Sequence, residues 1–133
     1  MAQPDSSPNG GVLIVDSHHH TVLLLRELLH AAFPVLAVGI AARADEALRQ
    51  LKVQLPSVVI MDIALSGIKG IDAACEIKAT SPAAHLVIHT IHDEQIFRDK
   101  CAAAGASGFV SKLRTHTDLV PVLAPLLRTA PTA

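Results

Sequence analysis

Apolar residues along the chain fall into two alternating patterns. Short β-rich runs read "VLIVD", "VLAVGIA", "SVVIMDI", "HLVIHT" and "SGFVSK", and each precedes a stretch with helical spacing. After the first run, Val22, Leu25 and Leu29 mark one helical face, with Leu24 and Leu28 beside it. Ser17 is placed to cap that helix and Pro34 to end it. After the second, Ala47, Leu48, Leu51 and Leu55 recur at helical intervals before Pro56. After the third, Ile71, Ala74, Cys75 and Lys78 share a face, with the lysine as a snorkelling edge residue. The fourth helical stretch, "DEQIFRDKCAAAGA", has acids in its first turn and Gly105 as its stop. The last, "TDLVPVLAPLLR", is apolar enough to cover a sheet, but Pro121 and Pro125 should kink or shorten it. Five strands alternating with five helices predict an α/β doubly wound parallel sheet.

Composition agrees with that architecture. Half of the 133 residues are hydrophobic, yet Trp and Tyr are absent and Phe occurs three times, so the core is aliphatic. Residues 1–10 read as a polar tail, 11–128 as one domain, and 129–133 as a tail or linker stub. The start lacks the pattern of a signal peptide, and "AAFPVLAVGIAA" is too short to span a bilayer. A soluble cytoplasmic protein without membrane partners is expected. The net charge is −1, and the 11 basic residues form no run, so nucleic acid is not expected as a partner of this chain alone. Cys75 and Cys101 match no paired motif and are read as reduced thiols. His18, His19 and His20 are consecutive and should point in different directions, which argues against a dedicated zinc site. His89, in a central strand, is read as packed or hydrogen-bonded.

In doubly wound sheets, ligands bind beyond the carboxyl ends of the strands. That rule selects Asp16 and Ser17, Asp62 with its loop, Thr90, and Lys112. An aspartate that accepts a phosphoryl group needs a cation, a hydroxyl and a fixed ammonium to offset charge on the phosphoryl oxygens. Asp62, Thr90 and Lys112 supply nucleophile, hydroxyl and ammonium, and Asp16 supplies at least part of a cation site.

The pieces "LIVDSH", "VVIMDIALSGIKG", "VIHTIHD" and "AAGASGFVSK", in this order, resemble the receiver domain of bacterial two-component response regulators. The resemblance covers residues 11–128 and implies a five-stranded parallel sheet in the order 2-1-3-4-5 with five helices. It implies a signalling switch, not an enzyme, phosphorylated on Asp62 by a partner histidine kinase or phosphotransfer protein. Thr90 is then the switch hydroxyl, Lys112 the phosphate-contacting lysine and Phe109 the switch aromatic, with ordinary core packing as the competing reading of Phe109. Mg²⁺ would be held by Asp16, Asp62 and the backbone carbonyl of Ala64. An effector domain or a homodimer are the further partners implied.

This sequence departs from the family pattern at several positions. Ser17 replaces a second acid that would contact the metal, so weak Mg²⁺ binding is expected. Ser66 replaces a proline of the loop, and Ile91 replaces a small residue where it could modulate access to Asp62. These changes keep open an alternative, a pseudo-receiver that binds other proteins without Mg²⁺-dependent phosphorylation. Two further α/β classes are disfavoured. An aspartate phosphatase needs a second acid where Ala64 stands, and a flavin domain needs a Ser/Thr-rich loop and stacking aromatics that are not present.

Overall fold

In the computed structural model the described residues are 10–64 and 70–128. The expected tails therefore lie outside them, apart from Gly10, as do Ser66 and Gly67. The strands are β1 (Val12–Val15), β2 (Val38–Ala41), β3 (Val58–Met61), β4 (His85–Thr90) and β5 (Gly108–Ser111). They alternate with α1 (His19–Ala32), α2 (Ala44–Leu51), α3 (Gly70–Thr80), α4 (Gln95–Ala103) and α5 (Thr115–Arg128). All pairings are parallel, and the strand order is β2-β1-β3-β4-β5, as the sequence led us to expect. The order reverses between β1 and β3, so the crevice at their carboxyl ends is where such a sheet binds ligands.

Alternation along the strands divides the core into two layers. Leu13, Val15, Val59, Met61, Leu86 and Ile88 pack against α2, α3 and α4. Ile14, Ile60, Val87 and Val110 face α1 and α5, where they meet Val22, Leu25 and Leu29 and the stripe Leu119, Leu123 and Leu127. Leu25 and Leu29 are wholly buried, and truncating either to alanine would cost about 2–5 kcal/mol.

Several local expectations are corrected. Ser17 does not cap α1: the N-cap position is His18, with no side-chain cap bond, and Ser17 is exposed. Leu55 lies beyond the end of α2 and is exposed. On α3 the buried residues are Ala73, Ala74 and Ile77, and Cys75 is exposed, because the α2 contact turns the alanine pair inward. The acids Asp93 and Glu94 precede α4 instead of occupying its first turn. Gly105 does stop α4: at φ +104° it donates to Ala102 O, while Ala106 donates to Cys101 O. Gly70 starts α3 so close to the backbone of Ile63 that any Cβ would collide with it.

Helix α5 is not shortened by its prolines. Thr117, Pro121 and Pro125 all lie on its exposed face, opposite the leucine stripe. On an exposed helix face a carbonyl that loses its backbone donor can bond to solvent instead, so a missing bond there costs less than in a buried helix.

Candidate functional site

Four adjacent strands end in polar residues at one edge of the sheet. β1 is followed by Asp16 and β3 by Asp62, each only 3% exposed. β4 ends on Thr90, which is fully buried, and β5 leads into Lys112 at the start of a short 3₁₀ turn (Lys112–Arg114). The parallel register continues into the site, since Asp16 N–H donates to Ala41 O and Asp62 N–H to Val15 O. The apolar strands thus deliver two carboxylates, a hydroxyl and an ammonium to one place.

Lys112 ties the site together. Its Nζ donates to Asp62 Oδ2 at 2.7 Å and lies 3.1 Å from Asp16 Oδ2. The other oxygen of Asp62, Oδ1, accepts the Ala64 N–H at 2.9 Å. Burial pushes the Asp62 carboxyl upward, but the Lys112 ammonium and the Ala64 N–H outweigh it, with a smaller contribution from the Thr90 hydroxyl. Its pKa lies below the usual carboxylate value, so Asp62 is ionised at neutral pH.

Asp16 is held differently. Its Oδ1 accepts the His18 N–H at 2.8 Å and lies 3.1 Å from His18 Nδ1. Its buried Oδ2 makes no hydrogen bond, because the ammonium 3.1 Å away is poorly directed toward it. His18 Nδ1 is also 3.9 Å from Asp62 Oδ2. The donor set fits a divalent cation: two buried carboxylates, one oxygen of which lacks a directed donor, face a common space.

A second polar chain lies beneath the lysine. Buried His89 on β4 shares a 2.7 Å hydrogen bond through Nε2 with Thr115 Oγ1, which donates to Lys112 O at 3.2 Å. With the threonine proton directed to the carbonyl, His89 Nε2–H is the donor and Nδ1 is the bare nitrogen, buried without a partner. Burial and the nearby Lys112 charge push the His89 pKa down to about 4, against the pull of Asp16 and Asp62. His89 is therefore the hydrogen-bonded histidine that its strand position indicated. Its link to Thr115, 26 residues away, had no local sequence signal.

The remaining candidates lie around this centre. Thr90 Oγ1 accepts the His92 N–H at 3.3 Å, which orients the hydroxyl beside Asp62. Phe109 is half-buried against the α3 and α4 side of the core, with the Arg98 guanidinium 4.4 Å above its ring. Ile91 points outward and is 59% exposed. Ser17 is exposed, and no described contact ties it to either acid.

Comparison with known proteins identifies this arrangement. Residues 12–124 match the family model for the response regulator receiver domain. The chain belongs to that family, the receiver domains of two-component systems. It is 34% identical over 102 residues to the transcriptional activator protein ExaE of Pseudomonas putida, covering 77% of this chain and 48% of that protein. It is 30% identical over 112 residues to the response regulator UvrY of Escherichia coli, covering 84% of this chain and 51% of the relative. The chain thus spans about half the length of the curated relatives it matches. Among solved structures, a LuxR-family two-component response regulator from Aurantimonas sp. superposes with a TM-score of 0.82 at 31% identity, over 94% of this chain and 89% of that one. A receiver domain from Methanospirillum hungatei shares the fold, with a TM-score of 0.80 at 21% identity over 90% of this chain and 94% of that one. The family is one of signalling domains. Among the described residues, no helix is long and apolar enough to cross a membrane.

Proposed function

We propose that this receiver is a phosphoacceptor switch, modified on Asp62 by a histidine kinase or phosphotransfer protein in the cytoplasm. The observation that carries the reading is the fixed, ionised Asp62 carboxylate, bonded to Lys112 at 2.7 Å and to Ala64 N–H at 2.9 Å beside Thr90. In the reaction an Asp62 oxygen forms a bond to phosphorus, the bond from phosphorus to the donor breaks, and the donor keeps the electron pair. Lys112 and Thr90 then contact phosphoryl oxygens, offsetting the charge added beside Asp16. Asp16, Asp62 and the Ala64 carbonyl would hold Mg²⁺, which supplies further positive charge at that point. Ser17 in place of an acid and Ser66 in place of a proline would weaken this part, and Ile91 would modulate approach of the donor. Phe109, under Arg98, would report the change by altering its packing.

Output is proposed to pass through an effector domain or a homodimer, as the activator named among the relatives suggests for a longer regulator. The test is treatment with acetyl phosphate in the presence and absence of Mg²⁺, followed by intact-mass analysis. One acid-stable, base-labile phosphate is expected, absent in Asp62→Asn. Labelling that persists in that variant would refute Asp62 as the acceptor. No labelling at any Mg²⁺ concentration would favour the pseudo-receiver, for which exposed Ser17 in place of an acid is the specific support.

A further inference from the structure

We propose that His18 is a ligand of the cation site, and that the site takes a divalent transition ion of the Mn²⁺, Co²⁺ or Zn²⁺ class in preference to Mg²⁺. The proposal rests on the reading of this pocket as a cation site and changes the identity of the ion.

The first support is geometric. One donor atom each from Asp16, His18 and Asp62 lies within 4.8 Å of the others. His18 Nδ1 is 3.1 Å from Asp16 Oδ1 and 3.9 Å from Asp62 Oδ2. Donors held about 2.1 Å from one ion stand about 3.0 Å apart at right angles and about 3.4 Å apart at tetrahedral angles. The His18–Asp16 separation falls between those values and the His18–Asp62 separation exceeds both, so the ring must close toward Asp62 to bring all three donors onto one ion.

The second support is the buried Asp16 Oδ2, which accepts no hydrogen bond and has the Lys112 ammonium 3.1 Å away, poorly directed toward it. The third is the way His18 is anchored. Its backbone N–H is bonded to Asp16 Oδ1 at 2.8 Å, which fixes the chain so that the imidazole hangs over the acids. The ring is 59% exposed, leaving water and a phosphoryl oxygen room to complete the coordination shell.

Ligand chemistry then decides the ion. Mg²⁺ takes oxygen donors and gains little from an imidazole, whereas Mn²⁺, Co²⁺ and Zn²⁺ accept mixed nitrogen and oxygen sets with affinity rising along the Irving–Williams order. Where an acid would have served Mg²⁺, Ser17 faces solvent, and the next residue presents nitrogen instead. His19 and His20 stack edge-on against each other at 6.1 Å between ring centroids, and no described contact joins them to the acids.

The experiment is a titration of the purified chain with Co²⁺, read by its visible absorption and competed with Mg²⁺. Wild type, His18→Ala and the His19→Ala/His20→Ala double variant are compared. Loss of His18 should weaken Co²⁺ by roughly 10–100-fold and change Mg²⁺ by less than roughly twofold. The double variant should match wild type. Because both metals are measured on one sample, an unfolded fraction cancels in the ratio. An unchanged Co²⁺/Mg²⁺ ratio in His18→Ala overturns the proposal, as does loss of the Co²⁺ band in the double variant. Acetyl phosphate labelling of the same samples separates this failure from failure of the receiver reading. Labelling of Asp62 with Mg²⁺ alongside an unchanged ratio removes His18 and leaves the switch intact.

Discussion

The ends of β3, β4 and β5 and the end of β1 contribute to one pocket in different ways. Asp62, Thr90 and Lys112 are held by directed bonds and by the core beneath them. Beyond the end of β1, buried Asp16 is followed by exposed Ser17 and His18. The half that would contact a transferred phosphoryl group is built rigidly, and the half that would hold the cation is open and chemically altered. The two halves share Asp62 at the end of β3, and they differ in what the end of β1 adds to the cation site.

The largest expected effect lies in the rigid half. Lys112→Met removes the ammonium shared by two buried carboxylates and should slow acetyl phosphate labelling by roughly 100–1000-fold. It should also lower Tm, since Asp16 and Asp62 would face each other without a cation. Labelling within roughly threefold of wild type would mean that the lysine does not perform the work assigned to it.

Acid should loosen the same half through His89. Its pKa is about 4 in the fold against an ordinary value of 6.5, so the unfolded chain binds the extra proton first. The stability due to neutral His89 is fully present above pH 6.5 and is lost as pH falls toward 4, amounting to about 2–3 kcal/mol. Asp62 acts below that window, because its lowered pKa withdraws stability only under the ordinary value of 3.8. Thermal melts between pH 7 and pH 4 should show the decline in wild type and a flatter profile in His89→Leu. Equal slopes would break the connection between the buried chain and the lysine loop.

This contrast also explains what could be read in the sequence. Asp62, Thr90 and Lys112 each follow an apolar β-rich run, and the strand pattern alone delivers them to one sheet edge. The strand order followed from resemblance to receivers, and the structure agrees. The β1 loop was harder to read. His19 and His20 pack against each other, and His18 alone of the three faces the pocket, held by a backbone bond to Asp16 that no spacing rule encodes. Ser17 has the composition of a helix cap, but the chain turns it to solvent and leaves His18 at the cap position. The prolines of α5 do not shorten it, and they occupy the exposed face opposite the leucine stripe. The His89–Thr115–Lys112 chain joins β4 to α5 and becomes visible only once the sheet is assembled.

The central claim is an intact acceptor half beside an altered cation half. It is tested most directly by measuring Asp62 phosphorylation as a function of Mg²⁺ at saturating donor, in wild type and Ser17→Asp. Restoring the acid should lower the half-saturating Mg²⁺ concentration by about tenfold, equivalent to about 1.4 kcal/mol, and raise the rate at limiting metal. At saturating Mg²⁺ the two proteins should reach similar rates. An unchanged half-saturation would contradict the account and move the obstacle to Ile91 or the Ser66 loop.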